Sequence, residues 1–474
     1  MCFRKCPPLT TLRSKRTRMQ DHELESLSKV ELISIIKELM SEVVALKEEL
    51  ARYKTPKNSR NSSKPPSSDY PGKGKVKKNQ SLRKQGKKPL GGQPGHKGDT
   101  LHPVSVPDQI ENHTPLFCQC CGSDLNGIEE VLESSRQVVD IPPVNPVYTE
   151  HRSYSKQCAC GHKTIGSFPA GVNSRIQYGS SLTALVAYLS VRQYLPMNRI
   201  KELLCDVFNL KISEGGIERL ITRFAVKATP IYDQIKSRII GSWVAGADET
   251  GAKVAGGKGW FWTWQNESLT YIVSSSSRGF QTVEKHFPEG LAGLVLVSDC
   301  WSAHLKTKAK THQLCIAHLL RDLNYIIDLE KSAAWAKKVK NLFQEAIAFK
   351  QQLQQKDYPL SGTGIHQVKQ FEQRLDRLLK SKRPDKHLDA IKLQKRLNKH
   401  RAYIFPFLYY HHVPPDNNGS ERAIRNLKVK MKVSGQFRSQ KGAKSFAIIR
   451  SLIDTCIKRG IKVIDSMKLV AEVG

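Results

Sequence analysis

The sequence predicts a multidomain α+β chain, and three observations carry that reading. Across residues 22–54, apolar side chains recur at alternating spacings of four and three. Two tight cysteine groups follow, Cys158 standing 37 residues after Cys121. From Trp243 the helical periodicity gives way to short apolar runs, two of which end at Asp248 and Asp299.

Composition narrows the function before any motif is read. At 474 residues the chain has room for two to four domains and at least one large core. Its 76 Lys and Arg against 43 Asp and Glu leave a formal net charge of +33. That excess implies a polyanionic partner, nucleic acid or an anionic membrane surface, and argues against an enzyme of small metabolites. No window approaches the roughly 18–20 apolar residues of a spanning helix, so no membrane protein is expected. The basic opening MCFRKCPPLTTLRSKRTRM lacks an apolar stretch and is no secretory signal; Met19 is an alternative start to Met1. Eleven cysteines, an odd number, fit metal ligands and buried thiols better than a disulfide framework and point to an intracellular protein.

Residues 1–21 read as a disordered N-terminus. In 22–54, Leu32, Ile36, Leu39, Val43, Leu46, Leu50 and Tyr53 form the a/d seam of a coiled coil, with Glu and Lys outside it. A zipper of this kind makes a homodimer or higher oligomer; the alternative is one amphipathic helix packed on its own core. The segment 55–110 is rich in Pro, Gly, Ser and Lys and cannot build a core. Nine Lys or Arg and no acid lie between Pro71 and Gly98, Lys73, Lys75, Lys77 and Lys78 among them. Such a polycation follows phosphates without reading sequence.

Residues 111–170 hold the cysteine groups CQCCGSDL and CACGHKT, each with Cys before Gly as in the tight turns of zinc ribbons. Cys118, Cys121, Cys158 and Cys160 supply four thiolates for a tetrahedral structural Zn²⁺ site, leaving Cys120 as the spare thiol. The stretch RQVVDIPPVNPVYTEHRSYSKQ between them alternates like β-strands. A closed four-thiolate site folds a module and leaves no open position for catalysis. Residues 178–240 are helical, and two of the helices, joined through ISEGG, resemble a helix-turn-helix. Ordinary helical packing is the alternative, because few basic side chains sit on the third helix.

Over 241–330 the predicted order is three strands, a helix, a fourth strand and a further helix. An antiparallel meander followed by an α/β crossover is what a ribonuclease H-like core would show. Asp248 and Asp299 each stand at the exit of an apolar run, where a carboxylate is partly desolvated. On adjacent strands the pair would repel, and one pKa would rise. A hard divalent cation, Mg²⁺ or Mn²⁺, relieves that repulsion and retains waters for a phosphate and a nucleophile. A two-metal phosphoryl-transfer site needs a third carboxylate. Glu421, the lone acid between Asp416 and Asp454, is the candidate. It heads a basic helix on which Arg422, Arg425, Lys428 and Lys432 form a track for DNA. The alternative for Glu421 is structural, a capping box with Asn418 and an i,i+4 pair with Arg425.

Together GADETG, VSDCWSAH, CIAHLLRDL and DNNGSERAIR resemble the transposases of the insertion sequence 66 family, bacterial DDE enzymes. The resemblance covers nearly the whole chain, including PKNSRNSSKPPSSD and GGQPGHKG ahead of the cysteines. It implies a ribonuclease H-like core with Asp248, Asp299 and Glu421 as the metal-binding triad. A helical insertion over 331–410 and C-terminal helices over 411–474 are implied with it. Expected partners are the terminal inverted repeats, target DNA and accessory proteins of the same element, and the expected place is the bacterial cytoplasm, at the nucleoid. His304, His318 and Arg321 lie near the motifs and could contact phosphate or scissile-strand oxygens, or only pack and cap their helix. Two other readings compete: a non-catalytic zinc-containing DNA-binding regulator, and a ribonuclease H-like nuclease or resolvase without strand transfer.

Overall fold

The computed structural model of the chain describes residues 27–55, 57–58, 61–62, 95, 98, 100–381 and 388–473. Lys73, Lys75, Lys77 and Lys78, and the N-terminal stretch 1–21, lie outside the described residues.

Helix α1 (Lys29–Lys54) starts at a capping box: the Glu31 amide donates to Ser28 Oγ at 3.3 Å, and the Ser28 amide donates to Glu31 Oε2 at 2.9 Å. Along its seam Ile36, Leu39, Val43, Leu46, Leu50 and Tyr53 are all 46–80 % exposed. The cysteine region carries one short antiparallel hairpin, β1 (Ser155–Gln157) with β2 (Lys163–Ile165), and an isolated bridge between Phe117 and Asp124. The alternation that predicted strands from 136 onward is realised only at 155–157. Pro142, Pro143 and Pro146 interrupt that stretch and lack the amides a ladder requires.

Four helices come next: α2 (Ser180–Val191), α3 (Met197–Phe208), α4 (Glu214–Lys227) and α5 (Thr229–Ile240). Ser213 caps α4, its hydroxyl accepting from the Gly216 amide. Ile217, Leu220, Phe224 and Ala225 turn one face of α4 inward, and Arg219 and Arg223 are left exposed on the other.

The central sheet has five strands in the order β5-β4-β3-β6-β7. Strands β3 (Val244–Val254), β4 (Gly257–Gln265) and β5 (Thr270–Ser275) form an antiparallel meander. After α6 (Phe280–His286) the chain enters β6 (Leu291–Ser298), parallel to β3. The short α7 (Ser302–Leu305) then leads into β7 (Ala309–Leu314), parallel to β6. Strand β7 has no counterpart in the predicted order, which runs from the fourth strand directly into a helix. Its residues AKTHQL are mostly polar, and Gln313 is buried only because it bonds the backbone of Ile404 and Phe407.

Period-two alternation sends side chains of each strand to opposite faces. Ala245, Ala247, Trp262, Trp264 and Leu296 face α5 and α6, packing on Ile235, Ile239 and Val283. On the other face Val295 and Val297 pack against α8 (Ile316–Leu329), and Phe261 and Ile272 against α14 (Gln440–Lys458). Helices α9 (Ala334–Gln352), α10 (Gly362–Leu379) and α11 (Leu388–Lys399) extend the α8 side through Trp335, Phe343, Phe371 and Leu397. The short α12 (Pro406–Tyr409) then precedes α13 (Asn418–Ser434), and α15 (Val463–Val473) closes the chain. Helices α2, α3 and α4 share one apolar core with α14 and α15. Full burial of a large apolar side chain contributes on the order of 2–3 kcal/mol, so cores on both faces, more than the strand ladder, hold the sheet.

Candidate active site

Strand register brings the first two carboxylates together. Val244 pairs with Val295, Ala245 with Leu296 and Gly246 with Val297. Continued by two residues, this parallel register sets Asp248 beside Asp299, on strands about 4.8 Å apart and on the same face. Asp299 follows the last residue of β6 and accepts a 2.9 Å hydrogen bond from the Trp301 amide. Burial, with Glu249 and Asp299 as negative neighbours, pushes the Asp248 carboxyl up to about 7, against the pull of His304.

The same face receives the start of α13. Asn417 Nδ2 donates to the Ala247 carbonyl at 2.6 Å, one residue before Asp248. Ser420 Oγ donates to Asn417 Oδ1 at 2.7 Å and accepts from Gln265 Nε2 at 3.3 Å. Gln265 is steadied in turn by Lys458 at 2.7 Å. On the other flank the Asn417 amide donates to Cys315 Sγ at 3.2 Å, and the Ile316 amide donates to the Pro415 carbonyl at 2.9 Å. Two glycines permit this seat. A Cβ at Gly246 would stand 2.5 Å from Asn417 Oδ1 and 2.7 Å from Ser420 Oγ, and one at Gly419 would run into Gln265.

Glu421 stands in the first turn of α13, four residues after the Asn417 that bonds the Ala247 carbonyl. The expected capping box with Asn418 is not formed. Asn417 is the N-cap, Asn418 is already helical, and its amide donates to Asp416 Oδ1 at 2.9 Å. Glu421 turns instead to α8, where Arg321 Nη2 bonds both of its oxygens at 3.0 and 3.4 Å and His318 Nε2 stands 3.7 Å away. With both partners ionised and both carboxylate oxygens engaged, the guanidinium contact outcompetes a single carboxylate–amide cap bond. Burial lowers the pKa of His318, as does Arg321, while Glu421 and Asp299 both draw it back up. His318 Nδ1 is buried and has no hydrogen-bond partner among the described residues. Arg422, Arg425, Lys428 and Lys432 are exposed along α13, opposite its buried Ala423, Ile424 and Leu427.

Glu249 was missed in the sequence, although the alternation within GADETG separates it from Asp248 by one residue and hence by one sheet face. Its side chain, 2 % exposed, takes Arg278 Nε and Nη2 at 2.9 and 2.7 Å and His304 Nε2 at 2.8 Å. Burial alone would raise the Glu249 pKa, but the bonds from His304 and Arg278 outweigh it and hold the carboxyl below its ordinary value. Arg278 lies over the Trp301 ring at 3.8 Å and the Trp260 ring at 5.0 Å. Strand β3, which carries Asp248, and the turn after β6, which carries Asp299, are thereby tied together behind the sheet.

The cysteines form two matching turns. The Cys118 amide donates to Ser123 O and the Gly122 amide to Cys118 O, at 2.8 and 2.9 Å. Likewise the Cys158 amide donates to His162 O and the Gly161 amide to Cys158 O, both at 2.8 Å. Gly122 and Gly161 sit at φ +74° and +88°, which only glycine adopts without strain. Hydrogen bonds from Ser123 and Cys118 lower the Cys121 thiol to about 7, and the Cys160 backbone and side chain lower Cys158. Preformed turns with acidified thiols suit a thiophilic cation. Among the described residues, no three His, Cys, Asp or Glu are gathered as a metal-holding group, at the cysteines or at the carboxylates. The two turns stand apart, and each carboxylate is engaged by its own partner.

Comparison with known proteins agrees with the resemblance read from the motifs. Residues 175–445 match the family model described as Transposase IS66 family. Residues 115–161 match the zinc-finger binding domain of transposase IS66, and residues 7–102 match a family of unknown function, DUF6444. The uncharacterized protein y4hP of Sinorhizobium fredii is 24 % identical over 403 residues, spanning 74 % of this chain and 70 % of that protein.

Proposed function

This chain belongs to the IS66 family of transposases, and we propose that it cuts and joins DNA through Asp248, Asp299 and Glu421. The observation that carries the proposal is the parallel β3–β6 register, with α13 bonded to the Ala247 carbonyl over the same face. Strand order β5-β4-β3-β6-β7, with an antiparallel meander and two parallel strands, supports a ribonuclease H-like core. Hard carboxylate oxygens from Asp248, Asp299 and Glu421 fit Mg²⁺ or Mn²⁺. When bound, such ions supply the Lewis acidity that activates water or a 3′-hydroxyl and stabilises charge at phosphorus.

In this reading Asp248 and Asp299 bind from adjacent strands and Glu421 from α13. Arg321 and His318 orient Glu421 and meet developing charge on the scissile phosphate. Glu249, His304 and Arg278 position the two aspartates from behind. Arg422, Arg425, Lys428 and Lys432 guide the DNA backbone to the carboxylates. Cys118, Cys121, Cys158 and Cys160 close around Zn²⁺, joining the two turns into one module that binds the terminal inverted repeats. The exposed seam of α1 pairs with a second copy as a coiled coil.

The test is cleavage and joining of DNA carrying the element's terminal repeats, with Mg²⁺ or Mn²⁺. Asp248→Asn, Asp299→Asn and Glu421→Gln should each abolish both steps and leave DNA binding within a few-fold of wild type. Full activity in any of the three removes that residue from the site. Cleavage without joined product identifies a nuclease instead.

A further inference from the structure

The stretch PKNSRNSS, used by neither the carboxylates nor the cysteine turns, has a built contact of its own. Asn58 and Asn61 bond reciprocally: the Asn58 amide donates to Asn61 Oδ1 at 2.8 Å and the Asn61 amide to Asn58 Oδ1 at 3.2 Å. Ser62 Oγ closes the turn on the Asn58 carbonyl at 2.6 Å. Asn61 is only 1 % exposed, and its Nδ2 donates to Asp328 Oδ2, near the end of α8, at 3.3 Å. Lys57 Nζ stands 4.9 Å over the Tyr325 ring, one helical turn earlier on α8. Arg52, near the end of α1, reaches Asp389 of α11 at 3.7 Å. A buried amide costs free energy unless it is bonded, so Asn61 is a specific contact and not a chance touch. Asp328 lies on the helix that presents His318 and Arg321 to Glu421.

We propose that the Asn58–Asn61 turn is a docking element that anchors the N-terminal arm of the chain to the C-terminal half of its own α8. The lysine-rich stretch over 71–98 follows Ser62 by nine residues in sequence and is thereby tethered to α8, the helix of His318 and Arg321. Its effective concentration at DNA bound there is set by a short tether and not by free diffusion. This anchoring requires neither metal nor DNA and stands apart from the carboxylate reading.

Hydrogen exchange of the full-length protein tests it. Asn61→Asp sets a second carboxylate against Asp328, and exchange across residues 322–329 should rise about tenfold or more, as loss of a hydrogen bond to a charged group entails. Asp328→Asn added to it restores a donor–acceptor pair with the roles exchanged, and should return exchange to near wild type. Strands β3 and β6, in the same spectra, report that the fold is intact. Unchanged exchange in Asn61→Asp, or a double variant as open as the single one, overturns the proposal. So does protection that vanishes on dilution below dimerisation, since a second copy then supplies the turn.

Discussion

Asp248 and Glu249 are neighbours in one strand, yet they face opposite sides of the sheet and meet opposite surroundings. Glu249 takes hydrogen bonds from His304 and Arg278, which hold its carboxyl below its ordinary value where it is buried. Asp248 has two carboxylates for neighbours and, among the described residues, no cationic bond, and burial with those neighbours pushes its carboxyl up to about 7. Folded Asp248 therefore holds its proton more tightly than the unfolded chain, whose ordinary value is 3.8. Where the folded state binds more protons, stability falls as pH rises. Without divalent cations, melting of the wild type should thus decline between about pH 4 and pH 7 by more than that of Asp248→Asn, because the substitution removes this contribution. Near pH 8 the variant should melt a few degrees higher than wild type. An Asp248→Asn protein that melts lower there would mean that the ionised carboxylate is held by a cation of the protein. Scanning calorimetry across that range decides.

At the scale of elements, α13 approaches the sheet as closely as backbone allows, and Gly246 is the reason. A methyl group at Gly246 meets Asn417, Gln265 and Ser420 together, none of which can withdraw without losing a buried hydrogen bond. Gly246→Ala should destabilise the fold by about 1–3 kcal/mol, the usual cost of overpacking. It should also reduce cleavage far more than DNA binding, because Glu421 is displaced while the exposed basic residues of α13 are not. Urea unfolding and a cleavage assay on the same sample measure the two effects. This seat was only half legible in the sequence. The apolar runs ending at Asp248 and Asp299 announced buried strands, since strand burial is written in local pattern. Glu421 was singled out by its isolation among bases, but its partners Arg321 and His318 lie a hundred residues earlier and share no local signal with it. The Asn418 cap followed from spacing alone and lost to that tertiary contact. Strand β7 was hidden because its polar residues are buried by partners from the 404–407 turn. Glu249 was present in the motif, and alternation alone could have set it on the face behind Asp248.

For the molecule as a whole, a net charge of +33 makes association with DNA a matter of counterion release. Its described part distributes that charge unevenly: Arg422, Arg425, Lys428 and Lys432 stand exposed on the helix that carries Glu421. If each of the four neutralises one phosphate, converting them together to Gln should lower the slope of log affinity against log salt by about 3.6, at roughly 0.9 per phosphate. None of the four is buried, so the melting temperature should hold. Binding then weakens most at low salt and least at high salt, and it does so alike for specific and random duplexes, because phosphate contacts carry no sequence. Conversion of Arg219 and Arg223 on α4 separates a second possibility. A loss confined to the terminal repeats, with the salt slope little changed, would make α4 a reader of bases, whereas a uniform loss would make it a further phosphate contact. Titration of labelled duplexes across salt concentrations, with repeat and scrambled sequences side by side, measures the slope and the discrimination in one experiment. An unchanged slope in the α13 variant would detach the basic stripe from the DNA track and leave the lysine-rich stretch near residues 71–98 as the source of the affinity.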